Sequence, residues 1–177
     1  VYETLNMAAL WDLPVIFIVE NNEFAMGTRL EYHAADTRLY KRGEPFGMPC
    51  ERLDGMDVLQ VRQDAQRIID WVRENQKPYF VEVMNYRYAG HGAADNDRQL
   101  YRTKEEEEEA AKRYPIKRLE AFLLANKVMT EEKMEALQEE AEAWADHVLE
   151  EADKSPFPDD HEVYDNVYSD MLPEQGH

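Results

Sequence analysis

The chain has 177 residues, of which 44% are hydrophobic and 11% aromatic, as is typical of a globular protein rather than a disordered one. Its net charge is −18, which argues against nucleic acid and anionic membrane surfaces as partners, because both carry negative charge themselves. Cys50 is the single cysteine, so an intrachain disulfide and a multi-cysteine zinc site are excluded, and a reducing compartment fits. No apolar run approaches the roughly 20 residues of a membrane span.

The chain opens in the middle of a helical pattern. Residues 1–11 place apolar side chains at near-helical spacing, so we expect the end of a helix here and further residues upstream of Val1. Pro14 stops this helix, and a run of five apolar residues, 15–19, follows it. A run this short and this rich in β-branched side chains predicts a strand buried on both faces, as in a parallel sheet.

Further helices and strands alternate along the next part of the chain. Residues 33–42 predict a short helix closed by Gly43, and residues 50–53 predict a short strand. Asp57 is expected to cap a helix whose apolar positions are three and four residues apart, and residues 79–84 form the next predicted strand. This alternation predicts an α/β fold with a mainly parallel sheet flanked by helices.

The composition changes at residue 104, and most of the excess acid lies beyond it. We expect the α/β domain to span residues 1–103 and an acidic helical extension and tail to span residues 104–177. Helices are predicted to begin at Pro115 and after Thr130. The second of these carries an apolar stripe that is expected to pack on the domain or on a partner subunit: Met134, Leu137, Ala141, Trp144 and Val148.

Asn21 and Asn22 stand where the first predicted strand ends. Ligands of parallel sheets bind beyond the carboxyl ends of the strands. An amide oxygen is a hard, neutral ligand suited to Mg²⁺ that keeps phosphate oxygens as its other ligands, and the backbone near Phe24 offers a further carbonyl. Two asparagines after a strand also commonly form a turn, so both interpretations stay open.

His91 lies between Gly90 and Gly92, just after the last predicted strand. The glycines leave room for a ligand to approach, and an imidazole can donate or transfer a proton near neutral pH. A loop histidine is also frequently no more than a solvent-exposed residue. The sequence has no glycine-rich phosphate loop, no nucleophile elbow and no metal-ligand spacing among its histidines.

Several sequence blocks, taken in order, resemble the alpha subunits of the decarboxylating component of pyruvate dehydrogenase, within the thiamine-diphosphate-dependent 2-oxoacid dehydrogenases. The blocks cover residues 1 to about 103 and the tail from Ser155 to Tyr168, so the chain resembles the C-terminal portion of such a subunit. The blocks are Asn6-Met7-Ala8-Ala9, Glu20-Asn21-Asn22, Met26-Gly27-Thr28, Tyr40-Lys41-Arg42-Gly43, Asp54-Gly55-Met56-Asp57-Val58, Tyr86-Arg87-Tyr88, Gly90-His91 and Tyr101-Arg102-Thr103.

The resemblance implies a thiamine-diphosphate-binding fold whose cofactor is held through magnesium. It implies that Asn22 binds the metal through its side chain and that Phe24 binds it through its backbone carbonyl. His91 corresponds to the active-site loop histidine, which contacts the diphosphate end of the cofactor and assists the reaction with the lipoyl group. Arg87 corresponds to an arginine that braces this loop at the cofactor. The Gly-Asp-Gly half of the family's metal motif would lie before Val1.

The resemblance further implies the activity of the alpha subunit of pyruvate dehydrogenase (acetyl-transferring), an oxidoreductase. Such an enzyme decarboxylates pyruvate oxidatively and transfers the acetyl group to the lipoyl domain of dihydrolipoyl acetyltransferase, which links glycolysis to acetyl-CoA. We expect the site to form only with a beta subunit, in an α2β2 heterotetramer, and we expect a cytoplasmic enzyme of bacterial type. Where several members have a phosphorylatable serine this chain has Gly92, which excludes phosphorylation there.

Three alternatives to this function stay open. Two of them are an alpha subunit of a branched-chain 2-oxoacid dehydrogenase and an alpha subunit of an acetoin dehydrogenase, since most substrate contacts lie elsewhere. The third is a truncated fragment that acts only as a subunit-interaction domain, because half of the expected magnesium site is outside it.

Overall fold

The computed structural model describes residues 1–95 and 98–165. Within them the helices are α1 (Tyr2–Leu10), α2 (Leu30–His33), α3 (Val58–Asn75), α4 (Lys104–Lys112), α5 (Pro115–Ala125) and α6 (Glu131–Lys154). The strands are β1 (Ile16–Asn21), β2 (Phe24–Ala25), β3 (Thr28–Arg29), β4 (Cys50–Asp54) and β5 (Tyr79–Met84). Short 3-10 helices cover Leu39–Phe46, Arg98–Leu100 and Asp160–Tyr164. One compact unit spans Val1–Val128, and a second begins at Met129.

The main sheet of the described residues has three parallel strands in the order β1-β5-β4. Its register places Met84, the last residue of β5, between Asn21 of β1 and Asp54 of β4. All three strands therefore end at one edge of the sheet, as parallel pairing requires. Helices cover both faces, so the predicted α/β fold with a parallel sheet is confirmed.

Helix α3 covers one face of this sheet. Asp57 is its N-cap, and the Asp57 Oδ1 accepts the N–H of Gln60 at 3.1 Å. The apolar stripe of α3 packs on alternate side chains of β4 and β5, and the resulting core contains Leu53, Ile68, Val72, Tyr79 and Val81. The predicted cap and helix are both confirmed, because each depends on residues close together in the sequence.

The opposite face of the sheet is covered by α1 and the 3-10 helix Leu39–Phe46, with a core of Leu5, Ala8, Met48 and Phe80. The helix predicted over residues 33–42 is wrong, because α2 ends at His33 and the 3-10 helix begins only at Leu39. Gly43 is not its cap and lies buried within the 3-10 helix. A Cβ at this position would come within 2.7 Å of the Phe80 Cβ, so close packing on the sheet explains the glycine.

Among the described residues, strand β1 lies at an edge of the sheet and is not buried on both faces, contrary to the prediction. The Ile18 side chain is 62% exposed, whereas Ile16 packs at the margin of the α3 core. The physical reason is that α3 lies over β4 and β5 and leaves the outer part of β1 uncovered. The strand that is buried along most of its length is the central one, β5.

Helix α6 begins after Thr130, as the sequence predicts, and the Thr130 Oγ1 accepts the N–H of Lys133. The side chains of Leu137 and Trp144 in its apolar stripe are exposed, and the packing of this stripe on the domain or a partner stays a prediction. The domain boundary after residue 103 also stays a prediction. Tyr168, at the end of the tail block, lies outside the described residues. In the described part of the chain, no helix has the length and apolar character needed to cross a membrane.

Candidate functional site

The side chains of Asn21 and Asn22 each accept a backbone hydrogen bond within the turn that follows β1. The Asn21 Oδ1 accepts the N–H of Glu23 at 2.8 Å, and the Asn22 Oδ1 accepts the N–H of Phe24 at 3.1 Å. Between them, Glu23 adopts the left-handed conformation with a φ of 65°, which such side-chain bonds help to hold. The interpretation of the two asparagines as a turn is therefore confirmed. It leaves a second lone pair on the Asn22 oxygen for another partner.

A buried carboxylate lies beneath this turn. Glu82 of β5 is 0% exposed and accepts a hydrogen bond from the Asn21 Nδ2 at 2.7 Å. It also accepts from the Tyr40 N–H at 3.0 Å and from the Arg52 guanidinium at 2.9 Å and 3.3 Å. A buried charge is tolerated when donors surround it in this way. Glu82, Asn21, Tyr40 and Arg52 form the Glu82 cluster, which fixes the direction in which the chain leaves β1.

Phe24 lies in a short hairpin made by β2 and β3, residues 24–29, which is the Phe24 hairpin. Its ring centroid is 4.6 Å from the Arg102 Cζ and 5.1 Å from the Arg29 Cζ, and the ring of Tyr101 is 5.6 Å away. The contact of a cation with an aromatic face is favourable, and more so away from water. The Phe24 side chain is thus engaged in packing, so any metal contact falls to its backbone.

Arg102 is 3% exposed and stacks its guanidinium also on Tyr86 and Tyr101, with centroid distances of 4.9 Å and 5.4 Å. Its Nη1 donates to the carbonyl of Arg87. The Nε and Nη2 of Arg102 and the Nε of Arg87 are buried and have no hydrogen-bond acceptor within residues 1–95 and 98–165. Arg102, Arg87, Phe24, Tyr86 and Tyr101 form the Arg102 cluster.

Arg87 contacts the Phe24 hairpin as well as Arg102. Its Nη2 donates to the carbonyl of Met26 at 2.6 Å. The Arg87 side chain therefore ties the end of the segment after β5 to the turn after β1. The role of Arg87 as a brace of the His91 loop stays a prediction, because the side-chain hydrogen bond that the structure shows for Arg87 is with the hairpin backbone.

Residues 89–95, the His91 loop, close on themselves. The His91 N–H donates to the Asp95 Oδ2 at 2.8 Å, and the Tyr101 hydroxyl donates to the same oxygen at 2.6 Å. These two hydrogen bonds lower the pKa of Asp95 below its usual value, and the bond from Tyr101 has the larger effect. A Cβ on Gly90 would lie 2.1 Å from the Asp95 carbonyl oxygen, so this closed loop requires glycine there. The His91 side chain itself is exposed.

The four predicted site residues lie in different surroundings in the structure. Phe24 and Arg87 belong to one cluster, and the His91 loop is tied to that cluster through Tyr101. Asn22 lies two residues before Phe24 in the same turn. Their roles toward a cofactor or metal are untested by these contacts and stay predictions.

Glu82, Arg52 and Arg102 were not predicted as site residues, although Arg102 lies in one of the blocks that carry the family resemblance. A signal for Glu82 existed, since a lone acid within an apolar strand seldom stays buried without a partner. Arg102 carried no such signal, because it lies in a polar stretch and its burial depends on rings that are distant in sequence.

A cavity of about 470 Å³ opens beside the carboxyl ends of β4 and β5. Its lining includes Glu23, Arg52, Asp54, Tyr86 and Arg113, but none of the four predicted site residues. One wall carries the ion pair of Arg113 with Asp54, whose two oxygens are each 3.0 Å from the Arg113 Nη2. The described residues contain no group of three or more His, Cys, Asp or Glu side chains that could hold a metal ion.

Comparison with known proteins decides the family. A sequence model of the family described as dehydrogenase E1 component matches residues 1–161. The chain belongs to the dehydrogenase E1 component family. The resemblance seen in the sequence blocks is confirmed at this level.

Curated relatives of this E1 component chain are named as alpha subunits. It is 40% identical over 168 residues to the pyruvate dehydrogenase E1 component subunit alpha of Rickettsia conorii, covering 95% of this chain and 51% of the relative. It is 42% identical over 168 residues to the protein of the same name from Zymomonas mobilis, covering 94% and 47%. It is 39% identical over 169 residues to the chloroplastic subunit alpha-3 of Oryza sativa, covering 96% and 39%. The chain spans about half the length of the bacterial relatives.

Proposed function

We propose that the chain is the C-terminal portion of an alpha subunit of the pyruvate dehydrogenase E1 component. One observation carries this proposal: over nearly its whole length the chain is 40% and 42% identical to bacterial relatives named for that subunit. The proposed reaction is the thiamine-diphosphate-dependent oxidative decarboxylation of pyruvate with transfer of the acetyl group to a lipoyl domain.

The residues present fit thiamine diphosphate held through Mg²⁺. Asn22 offers an amide oxygen with a lone pair that the Phe24 N–H does not use, and Phe24 offers a backbone carbonyl. Arg87 and Arg102 contribute buried N–H groups without acceptors, and phosphate oxygens are good acceptors for guanidinium donors. When bound, the cofactor supplies a nucleophilic carbanion and accepts the electrons released by decarboxylation.

Each predicted residue has a role in this proposal. Asn22 and Phe24 are ligands of Mg²⁺, and Arg87 and His91 face the diphosphate end of the cofactor. The exposed imidazole of His91 can hold or give a proton near neutral pH during transfer of the acetyl group. A Cβ on Gly92 would meet nothing within 4 Å among the described residues, so no close contact within the chain explains this glycine beside His91.

The proposed assembly follows from the relatives and from the incomplete metal site. We propose that the complete subunit pairs with a beta subunit in an α2β2 heterotetramer and delivers acetyl groups to dihydrolipoyl acetyltransferase, which connects glycolysis to acetyl-CoA. We expect the remaining Mg²⁺ ligand to come from outside the described residues, which contain no ready metal cluster. The cytoplasmic location stays a prediction.

A substrate comparison tests the proposed reaction. The full-length chain, assembled with its beta subunit, is given pyruvate, branched-chain 2-oxoacids and acetoin, and turnover is followed with an artificial electron acceptor. We expect kcat/KM for pyruvate to exceed the others by at least about tenfold, which corresponds to about 1.4 kcal/mol of transition-state stabilisation. A preference for either alternative substrate class would contradict the proposal.

A substitution of His91 tests its role. In the assembled enzyme, His91→Ala should slow lipoyl acetylation by about 10²-fold or more, because a positioned acid or base typically contributes that much. Binding of thiamine diphosphate should change far less. His33→Ala, which alters another exposed histidine, serves as the control. Equal losses in acetylation and cofactor affinity would refute the role given to His91.

The alternative of a non-catalytic interaction domain is tested by titration. Residues 1–177 alone should bind thiamine diphosphate with Mg²⁺ weakly or not at all, since they supply only part of the proposed ligand set. Calorimetric titration measures this directly. Micromolar binding would show that the stretch is sufficient by itself and would argue against an interaction role.

A further inference from the structure

Glu23 joins the two residues that are proposed above as ligands of Mg²⁺, because it lies between Asn22 and Phe24. Its φ of 65° belongs to the left-handed region, which residues with a side chain rarely adopt. The Glu23 N–H donates to the Asn21 Oδ1 at 2.8 Å, and the Glu23 carbonyl accepts the N–H of Leu30 at 2.8 Å. The conformation of Glu23 therefore sets the direction of the Asn22 side chain relative to the Phe24 carbonyl.

Glu82 fixes the Asn21 amide that holds this turn. The Asn21 Nδ2 donates to the Glu82 Oε1 at 2.7 Å, so the amide is hydrogen-bonded through its nitrogen as well as its oxygen. These two bonds together permit only one orientation of the amide. Asn21 and Glu82 are both buried, so water does not compete for their bond, and a carboxylate acceptor makes that bond stronger than one between neutral groups.

Two further segments of the chain hold Glu82 itself. Arg52 is the neighbour of Glu82 in the register of β4 with β5, and its guanidinium donates to both carboxylate oxygens. The Tyr40 N–H donates to the Glu82 Oε2 at 3.0 Å. Each carboxylate oxygen therefore accepts hydrogen bonds from two residues. A carboxylate fixed in this way resists movement, and it fixes the turn after β1 to β5 through Asn21.

Mg²⁺ and Ca²⁺ differ in how strictly they require their ligands to be placed. Mg²⁺ requires nearly ideal octahedral geometry with ligands at about 2.0–2.1 Å. Ca²⁺ accepts about six to eight oxygen ligands at about 2.3–2.6 Å in variable geometry. A rigid pair of ligands can therefore favour Mg²⁺, whereas a pair that moves apart loses affinity for Mg²⁺ more than for Ca²⁺.

We propose that Glu82 is a positioning residue that determines the preference of the site for Mg²⁺ over Ca²⁺, because it fixes the turn that carries both ligands. The inference rests on the proposed function, in which Asn22 and Phe24 bind the metal. Glu82 acts through Asn21, and its own oxygens are engaged by donors of the protein. The ion pair with Arg52 offsets its charge, so its effect on the metal is one of geometry.

The test measures the affinity for each metal ion separately. The full-length chain, assembled with its beta subunit and with thiamine diphosphate in excess, is titrated calorimetrically with Mg²⁺ and, in a second experiment, with Ca²⁺. Glu82→Met keeps a side chain of similar length and removes both acceptor oxygens. In this variant the Kd for Mg²⁺ should rise at least about tenfold, while the Kd for Ca²⁺ changes by less than about threefold.

Further variants separate positioning from a loss of stability. Asn21→Leu removes the amide and leaves Glu82 with the donors of Tyr40 and Arg52, so it should reproduce the selective loss of Mg²⁺ affinity. The two changes combined should cost little more than either alone, because both break one chain of hydrogen bonds. Val72→Ala destabilises the α3 core and should change neither Kd by more than about twofold. A change in Val72→Ala as large as that in Glu82→Met overturns the inference.

The possible results distinguish this inference from the proposed function. Equal losses of affinity for both ions in Glu82→Met would show that Glu82 acts through its charge or through overall stability, and they overturn the inference. Unchanged affinity for both ions overturns it as well. If Glu82→Met does not assemble, Asn21→Leu decides by the same two criteria. A wild-type complex that binds neither ion overturns the proposed metal site before any variant is made, and the inference fails with it.

Discussion

The Glu82 cluster and the Arg102 cluster each bury one charged side chain near the carboxyl ends of β1 and β5. They differ in the groups that surround that charge. Glu82 is a buried anion that receives hydrogen bonds from three residues on three separate segments. Arg102 is a buried cation that lies on three aromatic rings and leaves two donor nitrogens without acceptors among the described residues.

This difference indicates a division of roles between the two clusters. A buried charge whose hydrogen bonds are satisfied fixes its neighbours rigidly, because any movement would leave a donor or acceptor unpaired. A cation on ring faces is held less directionally and retains donors for another partner. The Glu82 cluster therefore holds the end of β1 in place, whereas the Arg102 cluster keeps donors available for a further partner.

The largest expected effect comes from Glu82→Gln. The neutral amide places an N–H donor among other donors and leaves the charge of Arg52 without its partner. The free energy of unfolding should therefore fall by about 3 kcal/mol. Chemical denaturation measures this change. The same substitution at Glu109, which pairs with Lys112 on the surface, should leave the midpoint unchanged. If the two variants behave alike, the rigid role of the Glu82 cluster is wrong.

A smaller effect is expected from Phe24→Leu. Loss of the ring removes the faces on which Arg102 and Arg29 lie and should lower the free energy of unfolding by about 1–2 kcal/mol. Affinity of the assembled enzyme for Mg²⁺ should change little, because the proposed ligand is a backbone carbonyl. Phe17→Leu, in the sheet core, should cost similar stability without increasing hydrogen–deuterium exchange of the His91 loop. A large loss of Mg²⁺ affinity would contradict the backbone role.

The pKa of Asp95 gives a pH prediction for the His91 loop, which Tyr101 connects to the Arg102 cluster. The Tyr101 hydroxyl and the His91 N–H lower this pKa, so the closed loop is favoured wherever Asp95 is ionised and is weakened only as the pH falls through the lowered pKa, below 3.8. Exchange of residues 88–95, corrected for intrinsic rates, should therefore be constant between about pH 5 and 8. A midpoint within that range would show that another group controls the loop.

A further prediction concerns Cys50 of β4, whose thiol reports on the packing of the sheet. Burial raises the pKa of the Cys50 thiol from 9.0 to about 11, so the folded state disfavours the thiolate. The free energy of unfolding should therefore fall as the pH rises from 9.0 through about 11. At pH 8, alkylation should be about 100-fold slower than in the unfolded chain. Glu82→Gln should relieve part of this protection, whereas Arg102→Met should not. Equal relief by both variants would erase the distinction between the clusters.

Local sequence was enough to predict several elements in both compact units. The caps at Asp57 and Thr130 and the strand over residues 79–84 depend on residues only a few positions apart, and the structure confirms them. The alternation of helices and strands likewise predicted the parallel sheet. Short motifs also identified the family and directed attention to Asn22, Phe24, Arg87 and His91, although their roles remain proposals.

Tertiary structure alone decided which strand is central, why Gly43 is glycine, and what lies beneath the candidate site. Glu82 meets Asn21 across 61 positions of sequence and Arg52 across 30, and no local pattern encodes such contacts. The burial of Arg102 depends on the rings of Phe24 and Tyr86, which come from two other segments of the chain. The sequence by itself determined the local elements and the family, because both depend on nearby residues. The folded chain decided burial and charge pairing, because both depend on distant residues meeting in space.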